Sequence, residues 1–178
     1  MAGLRPSKPR MPCPREQGRG FTLIELLVTI TVLAVLAAVA VPAFDGVTLS
    51  SRLSSYSNSL VAASQLARSE AIKRNALVTL CASTDGLTCA TNGQWEAGWI
   101  VLSGTAVLRQ QPAAVTGFLI REAGGVSALN YDATGLGATQ ASITACRASP
   151  TMGSQGRLVK ISATGRTSIT TTTPAACT

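Results

Sequence analysis

One carboxylate stands inside an otherwise apolar run: Glu25 is the only ionisable side chain between Phe21 and Val41. A charge in hydrocarbon surroundings costs a few kcal/mol or more, so it is kept with a partner and for a purpose. Conventional catalytic chemistry has less to work with. Histidine is absent, which removes the commonest general base and a common metal ligand together. Serines and threonines are plentiful but have no such base beside them, the acids are scattered, and no glycine loop that could cradle phosphate opens a helix outside the apolar run. A Ser and Lys arrangement could draw only on Lys73 or Lys160, both better read as exposed charges. These absences predict a protein that is not an enzyme and needs no cofactor.

Cysteines are the second reactive group. There are five: Cys13, Cys81, Cys89, Cys146 and Cys177. Cys13 lies in the basic N-terminal stretch, and the remaining four are an even number, as expected of an exported domain with disulfides. Four cysteines allow three pairings. Ser83-Thr84-Asp85-Gly86 is a turn signal that brings Cys81 toward Cys89, and Cys146 with Cys177 would tether the C-terminus. A zinc site competes, but no C-x-x-C pair is present, and no metal is expected.

The elements that position these groups begin with the apolar run itself. At about 1.5 Å per residue, a helix over it spans roughly 30 Å, the hydrocarbon thickness of a bilayer. Before it lie Arg5, Lys8, Arg10, Arg15 and Arg19 against a single acid, Glu16, among prolines and glycines. Positive charge beside an apolar segment stays on the cytoplasmic side, so everything after the run should be exported. Cleavage between Gly20 and Phe21 would create an α-amino group one helical turn from Glu25, or beside Glu25 of a neighbouring subunit. Ammonium and carboxylate offset each other's desolvation in low dielectric, and a pair formed between chains would also set their register. An ordinary secretory signal ending at Ala38-Val39-Ala40 is the competing reading. It is disfavoured by the length of the run and by the acid near its start.

Periodicity then changes twice. After Pro42, residues Leu49, Leu53, Tyr56, Leu60, Ala63, Ala67 and Ala71 recur at three- and four-residue steps, which predicts an amphipathic continuation of the helix to about Asn75. Pro42 is expected to kink it near the membrane surface. Beyond Asn75, eight short segments read as strands between Gly, Pro, Ser and Asp clusters: 76–82, 99–102, 106–111, 117–121, 126–131, 141–146, 157–163 and 166–172. They form one or two antiparallel sheets whose apolar face the exported helix must cover. The formal charge of +7 is weak evidence for a nucleic-acid partner, because the stretch before Phe21 contributes +4 of it and leaves +3.

The run Gly20-Phe21-Thr22-Leu23-Ile24-Glu25, with its basic leader, long apolar helix and Pro42, resembles the class III signal of type IV pilins and of the pseudopilins of type II secretion. Further along, the segment from Ala67 to Asn75, Trp95-Glu96-Ala97-Gly98-Trp99, Gly156-Arg157 and Gly165-Arg166 resemble the GspH and FimT family of minor pseudopilins and minor pilins. The resemblance implies an α+β, pilin-like fold, with a long N-terminal helix packed on an antiparallel β-sheet head. It implies a cleaved leader over 1–20, a transmembrane helix over 21–42 and a periplasmic domain over 43–178. Prepilin peptidase would cut after Gly20 and methylate Phe21, leaving a single-pass inner-membrane subunit with its N-terminus cytoplasmic and its head periplasmic. Its partners would be other pilins or pseudopilins in a helical filament, with Glu25 as the assembly residue.

Two machines fit this family: a type II secretion pseudopilus for protein export, or a type IV pilus with a FimT-like subunit that contacts DNA during uptake. From Ala133 to Thr178 there are four basic residues and no acid, with Arg157, Lys160 and Arg166 the candidate phosphate contacts. DNA-binding members of the family carry Gly-Arg-x-Arg here. Gly165-Arg166-Thr167-Ser168 and Gly156-Arg157-Leu158-Val159 each lack the second arginine. Intact-mass measurement of the mature protein should place its N-terminus at Phe21; an N-terminus at Val41 would instead identify a cleaved secretory signal.

Overall fold

A computed structural model describes residues 21–137, 139–148, 155–173 and 177, the side chains of residues 41–43 excepted. The leader, with Gly20 and Cys13, lies outside the described residues. A helix, α1 (Leu23–Arg74), is followed by eight strands: β1 (Val78–Ala82), β2 (Trp99–Ser103), β3 (Ala106–Gln111), β4 (Phe118–Glu122), β5 (Ala128–Tyr131), β6 (Ala141–Arg147), β7 (Gly156–Ile161) and β8 (Thr167–Thr172). The chain separates into two compact units, Met1–Val41 and Pro42–Thr178.

In the first unit α1 is apolar and exposed all round, with Leu23, Ile24, Leu33 and Val35 open to their surroundings. It is long and apolar enough to cross a membrane. The helix runs on through Pro42, whose side chain lies outside the described residues, as does the expected kink there.

In the second unit one stripe of α1 disappears into the core. Leu49, Leu53, Leu60, Ala63, Ala67 and Ala71 are buried, and Tyr56 packs edge-on against Phe118 with ring centroids 5.5 Å apart. The change from leucine to alanine along this stripe shortens the side chains separating helix from sheet. Two serines lie on the same side. Ser57 Oγ donates to its own helix at Leu53 O over 2.9 Å, and Ser64 Oγ shares a 2.6 Å hydrogen bond with the Tyr131 hydroxyl on β5. Burial raises the Tyr131 pKa above its ordinary value, so the hydroxyl keeps its proton for that bond.

The helix ends at Asn75, the one described non-glycine residue with positive φ, at 49°. Ala76 N–H bonds Ala71 O and Asn75 N–H bonds Ile72 O, the paired bonds of a Schellman cap, which satisfy carbonyls that the helix end would otherwise orphan. Lys73 and Arg74 occupy the last turn and bond Glu70, at 3.2 and 2.7 Å. Their hydrogen bonds, Arg74's foremost, hold the Glu70 carboxyl below its usual range.

The strands form two four-stranded antiparallel sheets, in the orders β3-β2-β1-β5 and β4-β6-β7-β8. Both sheets contribute to one core with α1: Val78, Leu80, Val101 and Leu129 from the first, Ile120, Ile143, Val159 and Ile161 from the second. The connection between them is stitched by polar groups. Glu122 accepts from the backbones of Gly124, Val126 and Ser142, at 2.6, 2.9 and 3.1 Å, joining the β4–β5 loop to β6. Glu96 pairs with Arg121 at 3.3 Å.

Trp95, the first residue of a short 3-10 turn over Trp95–Ala97, and Trp99, two residues after its end, are both buried and anchor the small core. The Trp95 indole donates to Val126 O over 2.9 Å. Gly98 lies between them at φ 114°, and a Cβ there would sit 2.7 Å from Gln111 O, so no side chain fits. Disulfides join Cys81 to Cys89 and Cys146 to Cys177. Inside the first loop, hydrogen bonds from the Thr88 side chain and backbone, then from Leu87, push the Asp85 carboxyl far below the ordinary range and hold the turn.

Replacing Ser64 with Ala leaves the Tyr131 hydroxyl buried without a partner. The expected cost is about 1–3 kcal/mol in denaturant unfolding of the full chain in detergent. The Ser64→Ala, Tyr131→Phe double variant should recover part of that loss, and a fully additive result would show that the two groups do not interact.

Candidate functional site

Thr22 and Glu25 make the first candidate site. With α1 beginning at Leu23, Thr22 is the N-cap and Glu25 the third helical residue. Glu25 N–H bonds Thr22 Oγ1 at 3.3 Å, while Thr22 N–H and Thr22 Oγ1 each reach Glu25 Oε2 at 3.4 Å. This is a capping box, T-x-x-E, which satisfies two backbone donors that a helix start leaves open and places the acid at the positive end of the helix dipole. The bonds are long, so the carboxylate is held loosely. Phe21 is 79 % exposed. The Thr22-to-Glu25 spacing in the sequence is itself the signal of this cap, a role for Glu25 beyond that of a charge in search of a cation.

The basic residues of the C-terminal half form the second candidate, and the structure does not bring all three together. On β7, side chains alternate between faces. Arg157 shares its face with buried Val159 and Ile161 and is itself half-buried. Its guanidinium donates to Ser50 Oγ on α1 at 3.1 Å and to Gly156 O at 3.3 Å. Arg157 therefore braces the second sheet against the helix. Lys160 is on the opposite face, exposed, in register between Ser142 of β6 and Ser168 of β8.

Arg166 lies in the β7–β8 turn, with Gly165 at φ 72° and Ser162 bonded to the Arg166 backbone. Lys160 and Arg166 line one polar groove with Ser142 and Ser168. Arg166 also lines a second groove with Arg68 of α1, whose side chain lies against Gly165 so closely that a Cβ there would stand 3.2 Å from Arg68 Cδ. The cationic surface thus comprises Arg68, Lys160 and Arg166. Sequence reasoning misses Arg68 as a cation of this surface, because its place on the amphipathic helix says nothing of which strand turn it meets.

Among the described residues, no group of three His, Cys, Asp or Glu side chains is placed to hold a metal ion.

A long helix with an apolar first unit, packed through its second half on two antiparallel sheets, is the architecture of a pilin. The family model described as "Type II transport protein GspH" matches residues 57–165, and the chain belongs to the GspH family. The prokaryotic N-terminal methylation motif matches residues 17–41 and implies processing by prepilin peptidase and pilin-type assembly with other subunits. Two crystal forms of the type IV minor pilin FimU from Pseudomonas aeruginosa are similar in structure, each with a TM-score of 0.57 and 24 % identity over 71 % of this chain, covering 100 % and 95 % of theirs. At that identity the likeness is one of fold.

Proposed function

We propose that this chain is a non-catalytic minor subunit of a type II secretion pseudopilus, held in the bacterial inner membrane with its head in the periplasm and drawn from there into a helical filament. The observation that carries the reading is the division of α1. One stretch is apolar on every side and holds a single carboxylate at its start, while the other is committed to a folded head. The first suits both a bilayer and a filament core made of other such helices, whose apolar surroundings reward a match between Glu25 and a cation. After cleavage between Gly20 and Phe21, the Phe21 amine supplies that cation, from the same or a neighbouring subunit.

Leaving the capping box costs Glu25 little, since its bonds to Thr22 are 3.3–3.4 Å long. Replacing Glu25 with Val should leave flotation with vesicles intact and reduce co-purification with partner pilins at least about tenfold, or about 1.4 kcal/mol. Unchanged co-purification would remove the pairing. Loss of export with surface pili retained, when the chain is deleted, separates the pseudopilus from a pilus; the opposite pattern favours the pilus.

The cationic surface favours a second reading, a FimT-like minor pilin that contacts DNA. Lys160 and Arg166 share a groove, and Arg68 adjoins Arg166, so three charges lie where backbone phosphates could reach them. For the full chain in detergent, this reading expects duplex binding that weakens with salt. The Lys160→Ala, Arg166→Ala variant should lower the slope of log affinity against log salt by about 0.9 for each phosphate no longer neutralised. Arg157→Ala should leave that slope unchanged, because its guanidinium is turned toward Ser50. Binding that is salt-independent, or abolished only by Arg157→Ala, would exclude this surface.

A further inference from the structure

Four strand edges bound the two sheets, and three of them are guarded. β3 carries Arg109 and an extra residue, Leu108, that interrupts its ladder with β2 between Val101 and Leu102. β4 is met by a bridge between Gln94 and Arg121, and its Ile120 N–H donates to Glu96 over 3.4 Å. β5 is short, and Gly137 bridges it at Tyr131. Charges, bulges and covering segments are the devices that stop a sheet edge from pairing with another chain. β8 has none of them. Its six residues include no charge and no proline, its ladder with β7 has no bulge, and among the described residues its backbone has no partner beyond β7.

The direction of its free groups follows from the hairpin. Ser162 N–H bonds Arg166 O over 3.0 Å and closes the β7–β8 turn. Hydrogen-bonded pairs alternate along an antiparallel ladder, so the next are Lys160 with Ser168 and Leu158 with Thr170. The N–H and C=O groups of Thr167, Ile169 and Thr171 therefore point away from β7. Both faces of β8 are open too. Ile169 stands on the core side, in register with Val159, yet it is 39 % exposed, and no β8 residue belongs to the core. On the other face Ser168 shares a groove with Lys160 and Arg166, and no acid lines it. Among the described residues, neither the Lys160 ammonium nor the Arg166 guanidinium has a hydrogen-bond or ion-pair partner.

We propose that β8 is a docking edge for an extended segment of another protein, which joins the second sheet as a further strand, with apolar side chains beside Ile169 and acidic ones facing Lys160 and Arg166. The proposal concerns the second unit alone and is independent of which filament the chain enters.

Backbone and charge together select this occupant. A row of free N–H and C=O groups pairs with any extended peptide, while the side chains around it set specificity. An added strand places its outward side chains beside Ser168 and Thr170, and Ser168 is short enough for Lys160 to reach over it. Opposite charges on neighbouring strands stabilise a sheet and like charges destabilise it. A second copy of β8 would bring two more cations and no acid to the seam. The C-terminal Cys177 is buried and bonded to Cys146 on β6, which lies on the far side of β7 from the free edge. A DNA duplex would satisfy the cations, but its backbone has no donors for the C=O groups of Thr167, Ile169 and Thr171.

The test takes the full chain in detergent and a labelled peptide in which valine alternates with glutamate, beside the same peptide with lysine for glutamate. The glutamate peptide should bind at least about tenfold more tightly than the lysine peptide. The Lys160→Ala, Arg166→Ala variant should remove most of that difference. Bound peptide should slow amide hydrogen exchange at Thr167, Ile169 and Thr171 at least about tenfold, and leave Ser168 and Thr170, already bonded to β7, as they were. Thr171→Pro removes one outward N–H without taking a bond from the β7 ladder, and should weaken binding at least about tenfold.

Equal binding of the two peptides overturns the acidic assignment. Exchange left unslowed at all three outward amides with peptide bound overturns the edge, as does full affinity in Thr171→Pro. Slowing at the same amides that needs no peptide and grows with protein concentration gives the edge to a second copy. Failure of the glutamate peptide to bind overturns the proposal, and a duplex oligonucleotide bound instead through Lys160 and Arg166 gives the surface to nucleic acid.

Discussion

Two four-stranded sheets share a single helix as their common partner, and the structure depends on that constraint. Each sheet is made of short strands, and several edge positions, on β3 and β8 above all, are open to solvent. Neither could bury a full apolar face alone, and a sheet that cannot do so is marginal in water. The stripe from Leu49 to Ala71 supplies cover for both, and the polar contacts along α1 fall on both as well. Tyr56 and Ser50 reach the second sheet and its approach, while Ser64 reaches the first. A helix that must satisfy two sheets has little freedom to rotate, because a turn that helps one uncovers the other.

This constraint also explains the division of labour among the charged residues. Sign and proximity in sequence group Arg157 with Lys160 and Arg166, yet a step of three along a strand reverses the face. The parity is there to be read: Arg157, Val159 and Ile161 are two apart, so an arginine enters the core side with its hydrophobic neighbours. It can do so because Ser50 gives its guanidinium an acceptor and because its stem adds apolar area. The outward cations are a different set, completed from α1 by Arg68.

Much of the fold is legible in the sequence because two periods and their punctuation are strong in this chain. The three-and-four stripe marks the packed face of α1, Asn75 marks its end, and each of the eight strands appears where alternation between turn residues places it. The turn between Cys81 and Cys89 is likewise visible from Asp85 and Gly86. What cannot be read is which strands pair. Alternation tells a strand which way to face but not beside whom, so the division into two sheets, with β4 leaving its sequence neighbours to pair with β6, emerges only in the structure. Contacts between distant segments are hidden for the same reason: nothing local in Tyr131 names Ser64, and nothing in Arg157 names Ser50.

Both disulfides connect the β region to itself, one within the loop after β1 and the other from the end of β6 to Cys177. Neither crosslinks α1 to a strand, so the helix is held laterally by non-covalent contacts and covalently only through the chain at Asn75. A pull along the helix axis, such as withdrawal of the apolar segment from a bilayer would apply, loads those lateral contacts in shear and nearly all at once. The resistance of the head to force would then be set by the rate at which the whole stripe slips, while the oxidised β region beneath it keeps its own shape.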